Sequence, residues 1–340
     1  MSFPKFLFLT AVFLFGGIFF ASLFKKEKKE VEDLSQNIQK EFIEIELNKQ
    51  VEGVVEEAFE EGFPLHENKN KINEERNFSY REQELPDADR AREFFNVSEP
   101  KLPIVETIVY TSKVPWVKGR PAWIADYASH YNTSRYFISR SLSGIRDYFM
   151  HSIVNGDRFN VYRQDKNIHF HLLVDIFQSK MWLYYVDVDS DERVLVKTYP
   201  VGLGRLDETK TSGSLTPVGT YSLGKRVAIY SPGIRGYFNH HKVEMIRVFG
   251  TRWIPFEEEI SECTAPAKGL GIHGLPWGDS ENSGKLVELK ESLGKYESDG
   301  CIRLATEDIE EIYSIIITQP SYIHLVKKFY DAKIPGKEKL

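Results

Sequence analysis

Two adjacent runs of β-branched, aromatic and leucine residues constrain the fold of this chain more than any other feature. The first, IHFHLLVDIFQSKMWLYYVDVD, covers residues 168–189, and the second, ERVLVKTYPVG, covers residues 192–202. Runs of this composition that are separated by a polar turn are typical of neighbouring β-strands. GSLTPVGTYSLGKR, residues 213–226, predicts a turn followed by another strand. From residue 168 onward the chain is therefore predicted to be mainly β.

The end of the chain predicts one helix and a closing strand. TEDIEEIYSIII, residues 306–317, is the last predicted helix. Thr306 is its predicted N-cap, and Glu307 and Asp308 occupy the first turn, where the helix dipole favours acids. SYIHLVKKF, residues 321–329, is the last predicted strand, and residues 331–340 are predicted to be a tail.

The first 24 residues are apolar enough to be a transmembrane anchor. Phe6 to Phe24 is a run of 19 residues without a charge, and at ~1.5 Å per residue it nearly spans a hydrocarbon core of roughly 30 Å. A cleaved signal peptide is the alternative, although the run is long for one. Four lysines follow the run and only Lys5 precedes it, which by the positive-inside rule favours a cytoplasmic C-terminal part.

A charged stalk and a linker are predicted for residues 25–103. Acidic and basic residues alternate there around apolar positions at helical spacing, which fits a single amphipathic helix or a short coiled coil. Residues 25–100 hold 12 Lys and Arg against 21 Asp and Glu, whereas the chain beyond holds 31 against 29. With a formal charge of −6 and no dense basic face, the chain is not expected to bind nucleic acid.

Residues 104–165 predict a small α/β module. Helical spacing in the first half and an alternating strand pattern at the end give the order strand, helix, helix, strand. VKGRPAWIADYASHYNTS and IVNGDRFNVY resemble the opening and the closing strand of a LysM module, a small fold that binds N-acetylglucosamine polymers. Arg120–Pro121 stands where that family usually has Asp-Thr. An unspecified α/β spacer is the alternative.

No metal site and no disulfide framework are predicted. The chain has two cysteines, Cys263 and Cys301, and neither lies in a paired C-x-x-C pattern. His169 and His171 share one face of a predicted strand, but further ligands at matching positions are not evident, so both are interpreted as ordinary strand residues. We expect no metal and no organic cofactor.

Cys301, in YESDGCIRL, is the candidate nucleophile. A thiol with a pKa of ~8.5 is mostly protonated at neutral pH and needs a base, and His273 in GLGIHGLPWG lies at the end of a strand-like run before Gly274. Gly300 permits backbone conformations that let a substrate approach closely, with its own and the Cys301 N–H as candidate oxyanion donors. Arg303 lies on the same side of an extended chain as Cys301, where it would bind a carboxylate or anchor the loop.

The motifs TPVGTY, GIHG and SDGCIRL, in this order along a β-rich segment, resemble the L,D-transpeptidase catalytic domain, the YkuD-like family, over residues 168–328. The resemblance implies a β-sandwich-like catalytic domain, residues 166–330, that acts on peptidoglycan stem peptides. Cys301 matches the family's nucleophile, His273 its base and Gly300 the glycine beside the oxyanion hole. Arg303 matches an arginine that many members carry.

Other positions of the motif give candidate substrate contacts and two departures from the family. Ser298 matches the serine that opens the motif, and we also expect Gly274, Trp277 and Asp299 to contact the substrate. Asp299 stands where the family often has a second histidine. Residues 275–297, between GIHG and SDGC, are longer than usual and would form a lid or flap.

The resemblance implies a cysteine-dependent acyltransferase that forms 3–3 cross-links through a thioester, with release of D-alanine. Hydrolysis by the same site would make an L,D-carboxypeptidase, and a protein lysine as acceptor would make a protein-to-peptidoglycan linking or unlinking enzyme. A non-catalytic wall anchor that only binds stem peptides is the alternative from another class. The implied location is the bacterial cell envelope, with the chain anchored in the inner membrane and the catalytic domain in the periplasm, against the positive-inside reading.

Overall fold

The computed structural model describes residues 85–144, 153–280 and 284–338 of the 340-residue chain. The predicted anchor, residues 1–24, and the stalk and linker up to residue 84 lie outside these ranges. Within them, no helix is both long enough and apolar enough to cross a bilayer. The anchor therefore stays a prediction.

The described residues form five helices, eighteen strands and two short 3-10 turns. The helices are α1 (Arg92–Phe95), α2 (Ile124–His130), α3 (Arg135–Ser143), α4 (Ile246–Phe249) and α5 (Thr306–Ile316). The strands are β1 (Val105–Val109), β2 (Arg158–Tyr162), β3 (Ile168–Asp175), β4 (Lys180–Asp187), β5 (Glu192–Pro200), β6 (Leu203–Gly204), β7 (Gly219–Leu223), β8 (Ala228–Ile229), β9 (Arg235–Phe238), β10 (His241–Glu244), β11 (Arg252–Ser261), β12 (Gly271–Gly274), β13 (Trp277–Asp279), β14 (Leu286–Glu288), β15 (Tyr296–Ser298), β16 (Ile302–Leu304), β17 (Ser321–Val326) and β18 (Lys337–Glu338).

One curled, mixed sheet organises most of this part of the chain and confirms the mainly β prediction. Its order is β16–β12–β11–β7–β17–β3–β4–β5–β18, with β8 added beside β11. β12 and β16, β3 and β17, and β5 and β18 pair in parallel, and the other pairs are antiparallel. The family resemblance predicted a β-sandwich-like domain; the structure has one sheet of ten strands, in which the β11–β7 pairing has two register shifts.

The first strand-like run contains a turn that the sequence did not predict. Residues 168–189 form the hairpin of β3 and β4, in which Ile168 lies opposite Asp187 and Asp175 opposite Lys180. The Asp175 carboxylate accepts a hydrogen bond from the Gln178 backbone N–H at 2.8 Å, the local pattern by which aspartate stabilises turns. The polar turn predicted between residues 189 and 192 joins β4 and β5 as expected.

The sheet buries one of its faces in the main hydrophobic core, together with α5. On β3 the core positions are Phe170, Leu172 and Val174, which recur at every second residue as the period of a strand requires. Burying such a side chain contributes roughly 1.5–3 kcal/mol to folding. The other strands of the sheet contribute further core side chains, among them Ile254, Ile272, Ile302, Leu304 and Ile323. The alternate residues of these strands therefore point to the opposite face, which carries the features described below.

α5 begins one residue earlier than the predicted cap implies. Its N-cap is Ala305, which makes no side-chain cap, and Thr306 is the first helical residue. The prediction of Thr306 as N-cap is wrong because the Thr306 backbone N–H bonds to the Glu288 carboxylate from another segment, and this tertiary contact takes the place of a local cap. Glu307 and Asp308 lie in the first turn as predicted.

The segment predicted as a small module has the expected order of strand, helix, helix, strand. β1 and β2 pair antiparallel, with Val105 opposite Tyr162 and Val109 opposite Arg158. The element order does not distinguish a LysM module from another α/β unit, so the LysM resemblance stays a prediction. A small core fills the space between these elements: Tyr110, Ala122, Ile124, Tyr127, Ile138, Phe159 and Val161.

This small unit also packs against α5. The Tyr162 hydroxyl donates a hydrogen bond to the Ile315 carbonyl at 2.7 Å, and the Tyr136 and Tyr313 rings meet edge to face at 5.4 Å. Tyr136 and Tyr162 belong to the same buried cluster as the core of the large sheet. The predicted boundary between residues 165 and 166 thus crosses a shared core, and it remains a prediction.

A second compact unit includes residues Arg235–Val243. In it, β9 and β10 pair with each other as a two-stranded sheet. The sites described below belong to the other unit.

Candidate active site

β12 and β16 bring together the two residues that the motifs single out. The strands are parallel, with Ile272 opposite Ile302 and His273 opposite Arg303, and Cys301 immediately precedes β16. Because Ile272 and Ile302 are fully buried in the core, the alternation of side chains turns Cys301, His273 and Arg303 toward the opposite face. Two segments far apart in the sequence therefore present a thiol, an imidazole and a guanidinium on one surface.

His273 is held in one orientation and one tautomer. Its ring contacts Phe249 edge to face at a centroid distance of 5.3 Å and Trp253 at 5.8 Å, and the residue is 3% exposed. Nδ1 lies 2.8 Å from the Gly274 carbonyl oxygen. Because a carbonyl can only accept, Nδ1 carries the proton and Nε2 keeps its lone pair. Burial lowers the pKa of His273 to about 3, so the imidazole is neutral at physiological pH.

The Cys301 thiol is half-buried, and its ionisation is suppressed. Its Sγ lies 3.7 Å from the Gly269 carbonyl oxygen. Burial raises the pKa of Cys301 to about 11, and a backbone hydrogen bond from Gly271 and the charge of Arg303 offset that effect only partly. At neutral pH the site thus holds a neutral thiol and a neutral imidazole on one face.

Ser298 and Gly300 shape the loop that carries the cysteine. The Ser298 hydroxyl donates to the Cys301 carbonyl at 2.7 Å and accepts from the Gly300 N–H at 3.1 Å. Gly300 has φ +121°, and a Cβ there would come 2.9 Å from the Leu215 carbonyl oxygen, so a side chain is excluded on both grounds. The Gly300 N–H is occupied inside the loop, which leaves the Cys301 N–H as the candidate oxyanion donor. Ser298 is 2% exposed and orders the loop.

Thr216 anchors the same loop from the other side, and sequence reasoning assigned it no role. Its hydroxyl donates to the Gly300 carbonyl at 3.1 Å and accepts from the Gly204 N–H at 2.8 Å. A Cβ on Gly204 would come 2.5 Å from the Thr216 nitrogen and 3.0 Å from the Gly300 Cα. The TPVGTY motif contains Thr216, so the signal for this contact was present, but only the fold shows what the hydroxyl bonds to.

Arg303 is a half-buried cation close to Cys301. Its Nε is buried and has no hydrogen-bond partner in the part of the chain that the structure describes. Burial lowers the pKa of Arg303, but a guanidinium remains charged at neutral pH. A buried donor without a partner costs free energy, and an incoming carboxylate or carbonyl oxygen would satisfy it.

These features agree with the family comparison. A model of the L,D-transpeptidase catalytic domain, YkuD, matches residues 169–323, slightly less than half of the chain. Residues 169–323 are a YkuD domain.

Solved structures give weaker similarities. Bd1075 from Bdellovibrio bacteriovorus is 17% identical, with 47% of this chain and 48% of that chain covered and a TM-score of 0.31. The helical cell shape determining protein Pgp2 from Campylobacter jejuni is 20% identical, with 51% and 54% covered and a TM-score of 0.32. The chain thus spans about half of the length of these structures. No curated protein sequence matches the chain.

The remaining predicted residues occupy different positions around Cys301. Asp299 is exposed and pairs with Arg205 at 2.6 Å, so the position that is often histidine in the family here holds half of a surface ion pair. Gly274 is buried and holds the His273 ring through its carbonyl. Trp277 is half-buried on β13, and its Nε1 has no partner among the described residues. Substrate contacts of Asp299, Gly274, Ser298 and Trp277 stay predictions.

The long insertion of the YkuD domain contains a small hairpin. β13 and β14 pair antiparallel, with Trp277 opposite Glu288; residues 281–283 lie outside the described ranges. Arg247, on α4, makes a bidentate ion pair with Asp279 at 2.7 and 2.9 Å. The hairpin is thus tied to the helix that also supplies Phe249 to His273. Its role as a lid stays a prediction.

The two cysteines are both free thiols. Cys263 lies just beyond the end of β11, where its thiol donates to the Thr220 carbonyl at 3.1 Å. It takes no part in the Cys301 loop. It therefore provides a natural internal control for thiol chemistry.

Proposed function

We propose that this protein is a peptidoglycan L,D-transpeptidase whose nucleophile is Cys301 and whose base is His273. The observation that carries the proposal is the parallel pairing of β12 and β16, which sets the two side chains on one face while the Gly274 carbonyl fixes the lone pair on His273 Nε2. The substrate is the stem peptide of peptidoglycan. The bond attacked is the one between the third residue, typically a meso-diamino acid, and the terminal D-alanine.

Acylation starts from the neutral pair. As Sγ of Cys301 attacks the carbonyl carbon, the thiol proton passes to Nε2 of His273, and the oxyanion forms beside the Cys301 N–H. The C–N bond to D-alanine then breaks, and the leaving amine takes the proton from the imidazolium. The products are free D-alanine, a thioester on Cys301 and a neutral imidazole. Burial of both groups suits this route because no charge is buried before the substrate arrives.

In deacylation, His273 again accepts a proton and then donates it. A side-chain amine of a second stem attacks the thioester carbonyl and loses a proton to His273, and that proton returns to the departing Cys301 sulfur. The result is a 3–3 cross-link and a regenerated thiol. Water in place of the amine would follow the same path and give L,D-carboxypeptidase activity, so the acceptor alone separates the two outcomes.

Arg303 supports the donor substrate in this scheme. Its buried, unsatisfied Nε lies on the face that carries Cys301 and His273. A guanidinium binds a carboxylate through paired N–H donors, and the substrate offers a carboxylate on the third residue and another on D-alanine. Arg303 therefore orients the stem peptide so that the correct carbonyl faces Sγ.

Attachment and location complete the proposal. The N-terminal segment anchors the chain in the inner membrane, and the YkuD domain lies outside the cytoplasmic membrane, where peptidoglycan is. The LysM-like unit would bind glycan; it exposes Trp123, over which the Arg120 guanidinium lies at 5.4 Å. Exposed aromatic rings of this kind are suited to stacking on sugars.

Mass spectrometry of the intact protein tests the reaction class. The protein is mixed with a disaccharide-tetrapeptide, and we expect an acyl adduct whose mass equals the substrate minus D-alanine. Cys301→Ala should form no adduct, whereas the matched control Cys263→Ala should form it at the wild-type rate. An acyl adduct or D-alanine release that persists in Cys301→Ala would overturn the proposal. Adding an amine-bearing second stem then separates cross-linking from hydrolysis by the product.

A further inference from the structure

A second feature lies on the sheet face that carries the catalytic pair: a groove over β7, β17, β3 and β4. It has a volume of about 680 Å³, which is within the usual range for small-molecule sites. Ile323, Leu172 and their neighbours on these strands are in the main core, so the groove lies on the opposite face of the sheet. Its floor is formed by His169, His171, Tyr322, His324 and Thr220.

A chain of hydrogen bonds runs across the floor of this histidine groove. Thr220 Oγ1 lies 3.1 Å from Nδ1 of His324, and Nε2 of His324 lies 2.9 Å from Nδ1 of His171. This hydrogen-bond chain has two proton arrangements, since each imidazole ring can donate through either nitrogen. In one, the last nitrogen, Nε2 of His171, bears a proton; in the other it bears a lone pair.

The hydrogen-bond chain ends at Nε2 of His171, which has no partner among the described residues. His171 is 4% exposed, and its Nε2 is buried with no hydrogen-bond partner among the described residues. Leaving a buried polar atom unsatisfied is unfavourable. The Tyr322 ring stacks on His171 at 5.2 Å, with 19° between the planes. The groove thus combines one unmet hydrogen bond with an aromatic surface, which points to a ligand.

Charge restricts the class of that ligand. Glu262 pairs with Lys333 across the rim at 3.2 Å. Burial lowers the pKa of His171 to about 3 and that of His324 to about 4, so the floor is neutral. A cation needs more ligands than one nitrogen, and the described residues offer no group of three suitable side chains. An anion would find no charge on the floor to bind. The charged residues that line the groove are Asp191, Glu262, Lys327, Asp331 and Lys333.

An uncharged group that both donates and accepts hydrogen bonds fits the floor. A hydroxyl or an acetamide can bond to His171 Nε2 in either proton arrangement, and the apolar C–H face of a sugar ring can pack on Tyr322. The groove walls are apolar, with Val186, Val188 and Ile260 among them, which would accommodate an acetamido methyl group. An N-acetylated hexosamine offers all three features.

The groove is also connected to the active site through one short segment. Val218 and Gly219 line the groove, and Thr216, two residues before Val218, bonds to the Gly300 carbonyl beside the nucleophile. Two residues span at most ~7 Å of chain. A ligand in the groove would thus lie along the same face of the sheet as a stem peptide held at Cys301.

We propose that the histidine groove binds an N-acetylated hexosamine unit of the peptidoglycan glycan, with Nε2 of His171 bonding to its hydroxyl or acetamide and Tyr322 packing on the sugar ring. This inference rests on the proposed function for its choice of ligand. It adds a glycan-binding site within the catalytic domain to the peptide site at Cys301. Substrates that carry the sugar would be positioned at two points instead of one.

Binding of the peptide-free N-acetylglucosamine–N-acetylmuramic acid disaccharide tests the proposal. The titration uses full-length Cys301→Ala protein, so that acyl transfer plays no part, and follows histidine ring nitrogens by ¹H–¹⁵N correlation. We expect saturable shifts of the His171 and His324 signals. His171→Phe, which keeps a ring against Tyr322 but removes the hydrogen bond, should weaken binding about tenfold.

A surface variant keeps the test independent of folding. Val188 lines the groove and is 41% exposed, so Val188→Trp should block the groove without disturbing the core. Val287→Trp, at an equally exposed position on β14, is the matched control and should bind as Cys301→Ala does. Binding that is absent, or that survives both His171→Phe and Val188→Trp, would overturn the proposal. Failure here leaves the acyl adduct on Cys301 untouched, and failure of that adduct leaves this titration unaffected.

Discussion

The proposed active site and the histidine groove place the same kind of side chain in two different chemical settings. His273 and His171 are both buried, both neutral and both turned to the face of the sheet that lies away from the main core. They differ in the partner of Nδ1. For His273 it is the Gly274 carbonyl, and for His171 it is another imidazole, that of His324.

The partner of Nδ1 determines whether Nε2 can donate or accept a hydrogen bond. A carbonyl only accepts, so it fixes one tautomer and leaves a permanent lone pair on Nε2, which suits a base. A second imidazole both donates and accepts, so it leaves the outer nitrogen able to do either, which suits recognition of a neutral polar group. The side chains near the two histidines differ in the same way. His273 lies on the same face as a thiol, and His171 stacks on a tyrosine.

The largest expected effect comes from removing the base. His273→Gln should lower kcat/KM for D-alanine release about 10³-fold, because positioned general bases contribute roughly 10²–10⁴. The disaccharide should still bind with wild-type affinity, since the groove does not use His273. Steady-state kinetics and the disaccharide titration on one preparation check both expectations. Loss of saccharide binding in this variant would show that the two regions are not independent.

The placement of Cys301 and His273 on one face was predictable from the sequence, and the histidine groove was not. Cys301 and His273 lie in short, ordered motifs, and the β-rich composition around them indicated strands that could bring them together. The motif also contained Thr216, but its bond to the Gly300 carbonyl spans 84 positions and depends on the fold. Sequence spacing showed that His169 and His171 share a face, yet nothing local indicated the pairing of His171 with His324.

Predictions from local sequence patterns failed where a contact with a distant segment took the place of a local contact. The Thr306 cap was wrong because the Glu288 carboxylate, from the insertion, bonds to the Thr306 N–H. The turn between β3 and β4 was missed because its chain is nearly as apolar as the strands that flank it, and the Asp175 carboxylate that stabilises it gave only a weak signal. The sequence also provided no measure of how deeply Cys301 lies, and this burial raises the pKa of its thiol to about 11.

Acid should destabilise both regions in the same pH window. His171, His273 and His324 have native pKa values of about 3, 3 and 4, lowered chiefly by burial, against an ordinary value of 6.5. Between these limits the unfolded chain binds protons that the native state does not, so the unfolding free energy falls as pH falls from 6.5 toward 4. Each histidine contributes a slope of up to about 1.4 kcal/mol per pH unit.

Urea unfolding at a series of pH values measures that slope. His171→Phe and His273→Gln should each reduce it by up to one proton, because each removes one buried neutral imidazole. Equal reductions would show that the two regions are equally sealed from water. A slope that neither variant changes would contradict the burial of both residues.

Thiol reactivity gives a smaller effect and separates Cys301 from an activated thiolate. In the Cys263→Ala background, iodoacetamide should modify Cys301 at pH 7 about tenfold more slowly than a free thiol. The lower thiolate fraction that follows from a pKa of about 11 is partly offset by the higher nucleophilicity of a more basic thiolate. The rate should keep rising through about pH 9–10. Slow labelling therefore does not indicate an inert site, and fast labelling with a plateau near pH 7 would show a resting thiolate.

The smallest effect addresses the tautomers directly. Thr220→Val removes the oxygen next to His324 Nδ1 and should change the unfolding free energy by no more than about 1 kcal/mol. The Thr220 hydroxyl satisfies His324 Nδ1 in both proton arrangements, and a buried N–H without an acceptor is worse than a lone pair without a donor, so in the wild-type protein His171 Nε2 should mostly keep its lone pair. In Thr220→Val each arrangement leaves one N–H and one lone pair unsatisfied, so that preference is lost and the fraction of His171 Nε2 that carries the proton should rise. The ¹⁵N signal of that nitrogen should move toward the protonated form, while the signals of His273 stay unchanged because its tautomer is fixed by Gly274. If His171 Nε2 remains unprotonated in Thr220→Val, then the two proton arrangements do not interconvert. His171 and His273 would then differ in the side chains around them and not in the freedom of their tautomers.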